Sequence, residues 1–292
     1  MDRFRAALQL HKNKQQGRQG HAANRPQGTR PEAARLDVAP RVPLDPIVYT
    51  RTRTLEIPLS LLREQRVMTA YDKGPFVDAF KILRTQVMHR LRENGWNVFG
   101  VTSPDEGAGK TLTAVNLAVS LAMETTQTVL LVDANLMRPA VHEVFGLPDD
   151  CPGLTDYLLD DEPLEDLLLN PGIDRFVFLP GGVPVSNSAE LLTSPKMVTL
   201  VQEMRHRYRS RIVVFDLPPL LHTADVLAFA PYMDALLLVV EEGKTKAEEM
   251  KSALSLVTKS HPLLGTVLNK AGHQSATPRK MRKMLEAGPL EA

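Results

Sequence analysis

From residue 97 onward the chain repeats one alternation: a short apolar run rich in aliphatic residues, then a longer stretch with apolar positions three or four apart. The short runs at 97–101, 128–132, 175–179, 212–215, 235–240 and 265–268 predict strands. The longer stretches at 110–123, 139–145, 154–158, 164–169, 189–208, 224–229 and 244–260 predict helices. Several strands are apolar throughout, among them Val129-Leu130-Leu131-Val132 and Ile212-Val213-Val214-Phe215, as expected where helices cover both faces. The alternation predicts an α/β fold, a doubly wound and mostly parallel sheet with helices on both faces. Upstream, Phe80, Leu83, Val87 and Leu91 recur at helical spacing, so 76–93 predicts one more helix, ended by Gly95.

Before that helix the pattern fails. Residues 12–46 are rich in Gln, Arg, Pro, Gly and Ala and poor in large apolar side chains. Lys12, Lys14, Arg18, Arg25, Arg30, Arg35 and Arg41 outnumber Glu32, Asp37 and Asp45 there. Such a stretch buries too little to offset its ordering entropy, so a flexible basic segment is expected, either a solvated linker or an arm for an anionic surface. Phe4, Leu8 and Leu10 allow an amphipathic turn at its start, and 47–72 reads as semi-ordered. The last twenty residues, basic and then small and polar, predict a mobile tail. The expected organisation is a flexible segment at 1–70, a folded domain at 71–271 and a tail at 272–292.

Composition narrows the function classes. Apolar residues make up 43% of the 292, enough for a substantial core, and the net charge of +1 gives no support to a nucleic-acid partner. The single cysteine, Cys151, cannot form an internal disulfide, which fits a reducing compartment. No apolar run approaches the ~20 residues of a membrane span and the N-terminus lacks a signal-peptide core. A cytoplasmic chain is expected, with any membrane contact made through a partner. His142, His206 and His222 stand at no metal-ligand spacing and read as structural.

Three places carry chemistry. Val98-Phe99-Gly100-Val101 leads into Thr102-Ser103-Pro104-Asp105-Glu106-Gly107-Ala108-Gly109-Lys110-Thr111, and Leu112 continues as a helix. This is the strand–loop–helix setting of a phosphate-binding loop: glycines let backbone N–H groups turn toward phosphate oxygens, and the helix N-terminus adds partial positive charge. Lys110 would reach the β- and γ-phosphates of ATP and Thr111 would place its hydroxyl on Mg²⁺. The strict G-x-x-x-x-G-K-[ST] pattern is broken by Pro104 at the first glycine. The other two places are Asp133 and Asp216, each at the C-terminal end of a buried strand, the edge where ligands sit in open α/β sheets. A carboxylate there can hold Mg²⁺ or orient an attacking hydroxyl; it can also simply cap a helix.

Together the three motifs resemble the Walker A, A′ and B of bacterial tyrosine autokinases, the BY-kinases that act with polysaccharide chain-length regulators and are relatives of the MinD/ParA ATPases. Asp105 stands where MinD/ParA proteins carry a signature lysine. Asp78-Ala79-Phe80-Lys81-Ile82-Leu83-Arg84 resembles the family's ring-forming helix, with Asp78 and Lys81 in place of Glu and Arg. Gly153-Leu154-Thr155-Asp156-Tyr157-Leu158, Leu179-Pro180-Gly181-Gly182, the stretch with Asn187, Glu190, Leu191 and Leu192, and Val267-Leu268-Asn269 resemble further family segments. The resemblance implies a protein-tyrosine kinase of capsule or exopolysaccharide synthesis, with ATP and Mg²⁺, a membrane chain-length determinant as partner, and homo-oligomers built through Asp78, Lys81 and Arg84.

Carried over residue by residue, it implies catalytic roles for Lys110, Asp133 and Asp216, and Mg²⁺ held by Thr111, Asp133 and Asp216. Nucleotide contacts would come from Glu106, Gly107, Ala108, Gly109, Lys110, Thr111, Leu112, Arg138 and Asn269. Asn135 replaces the family's second Walker A′ Asp, and no tyrosine follows Lys270 where autokinases carry their acceptor cluster. The five tyrosines are Tyr49, Tyr71, Tyr157, Tyr208 and Tyr232, of which Tyr49 is the candidate acceptor. Those departures keep a second reading alive, an ATPase switch that controls docking on a membrane regulator. A third, a MinD-like membrane positioner, is disfavoured by Asp105.

Overall fold

The computed structural model describes residues 52–124, 127–206 and 211–272, all within the unit Val42–Ala292. The basic segment 12–46, the first ten residues, Tyr49, Tyr208 and the tail from 273 lie outside the described residues. In chain order the elements are β1 (Arg53–Thr54), α1 (Leu59–Glu64), α2 (Pro75–Asn94), β2 (Val98–Thr102), α3 (Lys110–Ala122), β3 (Thr128–Asp133), α4 (Val141–Val144), α5 (Leu154–Asp160), α6 (Leu164–Leu167) and β4 (Leu169–Asn170). They continue with β5 (Phe176–Leu179), α7 (Ser188–Leu192), α8 (Pro195–His206), β6 (Arg211–Asp216), α9 (Asp225–Phe229), a 3₁₀ turn at Ala230–Tyr232, β7 (Ala235–Glu241), α10 (Ala247–Ser260) and β8 (Leu263–Asn269).

The strands form one eight-stranded sheet in the order β1-β4-β5-β3-β6-β2-β7-β8. Every pairing is parallel except β4 with β5. The chain leaves β2 toward β3 on one side and later crosses from β6 to β7 on the other, so β2 lies where the winding reverses. Each central strand buries both faces in strict alternation. Val129 and Leu131 join the core with α2 and α3, while Leu130 and Val132 join the core with α8, α9 and α10. Phe145 stacks on Phe178 at 4.4 Å in the first core and Phe215 meets Phe229 edge-on at 5.0 Å in the second.

Helix α3 is buried from Thr113 to Ala122, and its Ala114, Ala118, Ser120 and Ala122 let neighbours approach closely. Its outer cover is α2 and the stretch before it: Leu62, Val67 and Met68 are core residues. Ordered structure therefore begins well inside the expected flexible segment 1–70. The signal was too short to see, since α1 has six residues and a single fully buried leucine. A buried polar clasp ties this stretch down. Asn116 of α3 accepts the Met68 N–H at 2.8 Å and donates to the Arg66 carbonyl at 3.0 Å.

Two other boundaries differ from the sequence pattern, and so does one surface stripe. The expected helix 189–208 is two helices, because Pro195 has no N–H to continue α7 and instead starts α8. The expected helix 164–169 stops at Leu167, and Leu169 pairs with Phe178 as strand. The stripe at 78, 81 and 84 is divided. Asp78 and Lys81 pair with each other at 3.6 Å on the exposed face. Arg84 turns inward, donating to the Ser120 carbonyl at 3.1 Å and standing 3.5 Å from Glu124. Among the described residues no helix is long and apolar enough to cross a membrane.

Asn116→Ala should lower stability by about 2 kcal/mol or more, because it leaves a buried N–H and a carbonyl unpaired. Urea denaturation measures the loss. Hydrogen exchange should show the Met68 amide opening while strands β2, β3 and β6 stay protected.

Candidate functional site

The phosphate loop is shaped from three sides. Gly107 (φ +77°) and Gly109 (φ +84°) adopt left-handed backbone that other residues avoid. A Cβ on Gly109 would stand 2.3 Å from Asn269 Nδ2. Asn269 Nδ2 donates to the Ala108 carbonyl and Lys270 Nζ to the Gly107 carbonyl, both at 2.8 Å. With those carbonyls drawn toward the end of β8, the N–H groups of Ala108 and Gly109, trans to them across planar peptides, point away from β8. Upstream, the Leu220 N–H donates to the Ser103 carbonyl at 2.8 Å and the Leu221 N–H to the Pro104 carbonyl at 3.2 Å. Pro104 thus anchors the loop through its carbonyl, at a position with no left-handed φ and hence no demand for glycine.

Asp133 and Asp216 face each other across adjacent strands in the β3–β6 register, and both are fully buried. Their environments differ. Asp133 Oδ2 accepts the N–H groups of Ala140 (2.8 Å) and Val141 (2.9 Å), and Oδ1 that of Asn135 (3.1 Å). It therefore caps the start of α4 as well as facing Asp216. Among the described residues neither oxygen of Asp216 has a hydrogen-bond partner at bonding distance, with the Thr111 hydroxyl close by. Burial, then the Asp216 charge, push the Asp133 carboxyl up to about 7, against the pull of the Val141, Ala140 and Asn135 amides. Burial also raises Asp216, opposed by the Lys110 ammonium and the nearby Thr111 hydroxyl. Lys110 Nζ is 3.4 Å from Thr111 Oγ1, so the loop's cation and hydroxyl reach the same corner.

Two orphaned carboxylate oxygens at 0% exposure are a large desolvation debt unless something binds them. A hard divalent cation fits: the donor set of Asp216 and Thr111 is all oxygen, as Mg²⁺ requires. Above them opens a cavity of about 390 Å³ lined by Glu106, Gly107, Lys110, Asn135, Arg138 and Met137, with Pro218, Pro219, His222 and Thr223 opposite. Arg138 pairs with Glu106 at 2.7 Å at its mouth. The Asn135 amide donates to the Arg138 carbonyl at 2.7 Å, holding the turn.

Of the residues singled out by sequence, Glu106, Gly107, Lys110 and Arg138 line this cavity, Thr111 and Asp216 adjoin Lys110, and Asp133 adjoins Asp216. Ala108 is buried in the loop. Leu112 gives its carbonyl to the Asn116 amide, and Asn269 spends its own amide on the loop backbone. Two contacts here join residues that the sequence names but does not connect. His222 Nε2 lies 2.7 Å from Asp105 Oδ1, clasping the loop to the segment after β6. The Glu106 N–H and then His222 hold Asp105 below the usual carboxylate range. The only hint was His222 lying six residues beyond Asp216. The 153–158 and 179–182 segments also meet here: the Leu154 and Thr155 N–H groups donate to the Pro180 and Gly181 carbonyls. A Cβ on Gly181 would stand 2.7 Å from Pro139 and 3.4 Å from the Asp133 carboxyl carbon, so this wall must stay thin.

Residues 99–290 match the family model described as the CobQ/CobB/MinD/ParA nucleotide binding domain. The tyrosine-protein kinase YwqD of Bacillus subtilis is 34% identical over 193 residues, covering 66% of this chain and 80% of that protein. The chimerical protein CapA2B2 superposes with a TM-score of 0.65 at 27% identity, over 75% of this chain and 93% of its own. The kinase domain of the Escherichia coli tyrosine kinase ETK superposes with a TM-score of 0.63 at 25% identity, over 80% and 93%.

The Asp133–Asp216 pair gives the nucleotide-free chain an unusual pH dependence. The folded state keeps a proton on Asp133 up to about pH 7, whereas an ordinary aspartate near 3.8 releases it. The folded state therefore binds more protons than the unfolded one across that window, and stability falls as pH rises through it. Melting temperature should decline from about pH 4 to 7 on this account. Asp216→Asn, which removes the neighbouring charge, should flatten the decline and move the Asp133 titration, followed by carboxyl ¹³C shifts, toward lower pH. A titration unmoved by the substitution would remove the basis for the coupling.

Proposed function

The chain belongs to the CobQ/CobB/MinD/ParA nucleotide-binding family and, within it, to the bacterial tyrosine-protein kinases, and we propose on that premise that it transfers the γ-phosphate of ATP to a tyrosine hydroxyl. One observation carries the reading: a buried Asp216 with both oxygens free, in register with Asp133 and beside Lys110 and Thr111. Thr111 and Asp216 would hold Mg²⁺, which would supply charge neutralisation at the phosphates. Lys110 binds the β- and γ-phosphates, and the loop N–H groups hold the phosphate chain. Arg138, at the cavity mouth, exchanges Glu106 for phosphate.

Asp133 is the catalytic carboxylate. Three backbone N–H groups occupy three of its four lone-pair sites and leave one, on Oδ1. That open site accepts the tyrosine proton as the phenol attacks. The phenol oxygen bonds to the γ-phosphorus as the bond to the β,γ-bridging oxygen breaks, and ADP leaves.

The setting proposed with this chemistry is the cytoplasmic face of the membrane, a chain-length determinant as membrane partner, and capsule or exopolysaccharide synthesis. Self-association would use the exposed Asp78–Lys81 face of α2, with Arg84 holding α2 on α3. Tyr71, 79% exposed, joins Tyr49 as a candidate acceptor within the chain. Asn135, which stands where a second carboxylate would and cannot take a proton, favours a second reading, an ATPase switch that docks on the regulator without phosphorylating itself.

Incubation with labelled ATP and Mg²⁺, followed by phosphopeptide mapping, separates the two. Phosphotyrosine on a peptide containing Tyr49 or Tyr71, or on a tyrosine-bearing partner, is expected. Lys110→Ala and Asp133→Ala should each reduce it about 100-fold or more. ATP turnover with no phosphotyrosine on any protein present would replace the kinase reading with the switch.

A further inference from the structure

Just beyond the backbone that Asp133 caps, three side chains converge outside the nucleotide cavity. His142, Glu143 and Asp149 each bring one ligand atom to within 4.8 Å of the others. Glu143 and Asp149 are at the surface, whereas His142 is only 5% exposed. Its Nε2 is buried and, among the described residues, has no hydrogen-bond partner. The nearest charged atom, Asp149 Oδ1, is 3.7 Å away, beyond hydrogen-bond reach. A buried imidazole nitrogen left unpaired is costly, and native chains retain few such groups without a reason.

The spacing suits a shared ion better than a direct bond. Ligand atoms on a metal at about 2.0–2.2 Å stand roughly 3–3.5 Å apart, and small rotations of two surface carboxylates close the present gaps. Burial holds the imidazole still while the carboxylates move, so part of the ordering is already done before an ion arrives. One imidazole and two carboxylates select against Mg²⁺, which prefers an all-oxygen shell, and for a first-row transition ion with water in its open positions.

We propose that His142 Nε2 and the carboxylates of Glu143 and Asp149 form a binding site for a divalent transition-metal ion of the Zn²⁺ type, separate from the nucleotide's Mg²⁺. None of the three lines the nucleotide cavity. The ion ties Asp149 back onto α4, whose first N–H groups are held by Asp133. It thereby stiffens the segment 141–149, which otherwise turns through the left-handed Gly146 (φ +70°) on two N–H bonds to the His142 carbonyl. Sequence spacing hid the site because two ligands are adjacent in the chain and the third follows a turn.

The test uses the full chain, freed of metal by chelation, without nucleotide. Calorimetric titration with ZnCl₂ should give one equivalent bound at about micromolar Kd, with a rise in melting temperature. Glu143→Gln and Asp149→Asn, both at exposed positions, should each weaken binding at least ~10-fold while leaving the metal-free melting temperature and ATP affinity unchanged. Asp216→Asn should leave zinc binding intact. The proposal is overturned if no saturable binding occurs below about 100 µM, if binding survives both carboxylate substitutions, or if it disappears with Asp216→Asn.

Discussion

Two carboxylates that repel each other sit side by side with no exposure to solvent. Asp133 and Asp216 are neighbours in the β3–β6 register, at the edge where both strands run out toward the phosphate loop. Neither can move apart, because each is the last residue of a strand whose apolar side chains fill the two cores. Much of the surrounding architecture answers this repulsion. The Ala140, Val141 and Asn135 amides converge on one member, and the Lys110 ammonium approaches the other. The remaining imbalance on Asp216 is what a nucleotide-bound cation would remove, so binding and structural relief become one event.

The same constraint explains why α3 is so thoroughly enclosed. Its first residue is Lys110, and a lysine that must meet a buried carboxylate needs a stem that does not shift. The sheet supports α3 on one side. Helix α2 and the 59–68 stretch close the other, with Asn116 and Arg84 supplying polar links across that seam. Rigidity at the phosphate loop is thus drawn from residues that precede it by some fifty positions, as the Met68–Asn116 bond spans 48.

What the sequence revealed follows the physics of each signal. Six strands were legible, five inside the sheet and β8 at its edge, because apolar residues cluster in each, and α2 and α3 because amphipathic spacing persists over several turns. The two-residue strands β1 and β4 carry no period at all. Helix α1 is too short to display one, so the beginning of ordered structure was placed too late. At the site, Lys110, Asp133 and Asp216 stood out because each ends or follows a strand. Contacts between distant loops left no such trace. The His222–Asp105 clasp joins positions 105 and 222, and the Asn269 and Lys270 bonds to the loop cross more than 160 residues. Asn135 is a mixed case, since its substitution for aspartate was visible but its service to the Arg138 carbonyl was not.

Those last bonds bear on how the chain is made. Residues 107–109 emerge from the ribosome early, but the side chains that draw their carbonyls outward belong to the final strand. Synthesis runs from the N-terminus at about 5–20 residues per second, so the loop waits roughly ten seconds or more for Asn269 and Lys270. Until β8 docks beside β7, the loop is held only from the segment after β6, and its glycines keep more of their conformational freedom. The full grip on phosphate is therefore a property of the finished domain, and a nascent or truncated chain ending before β8 lacks one of the loop's supports.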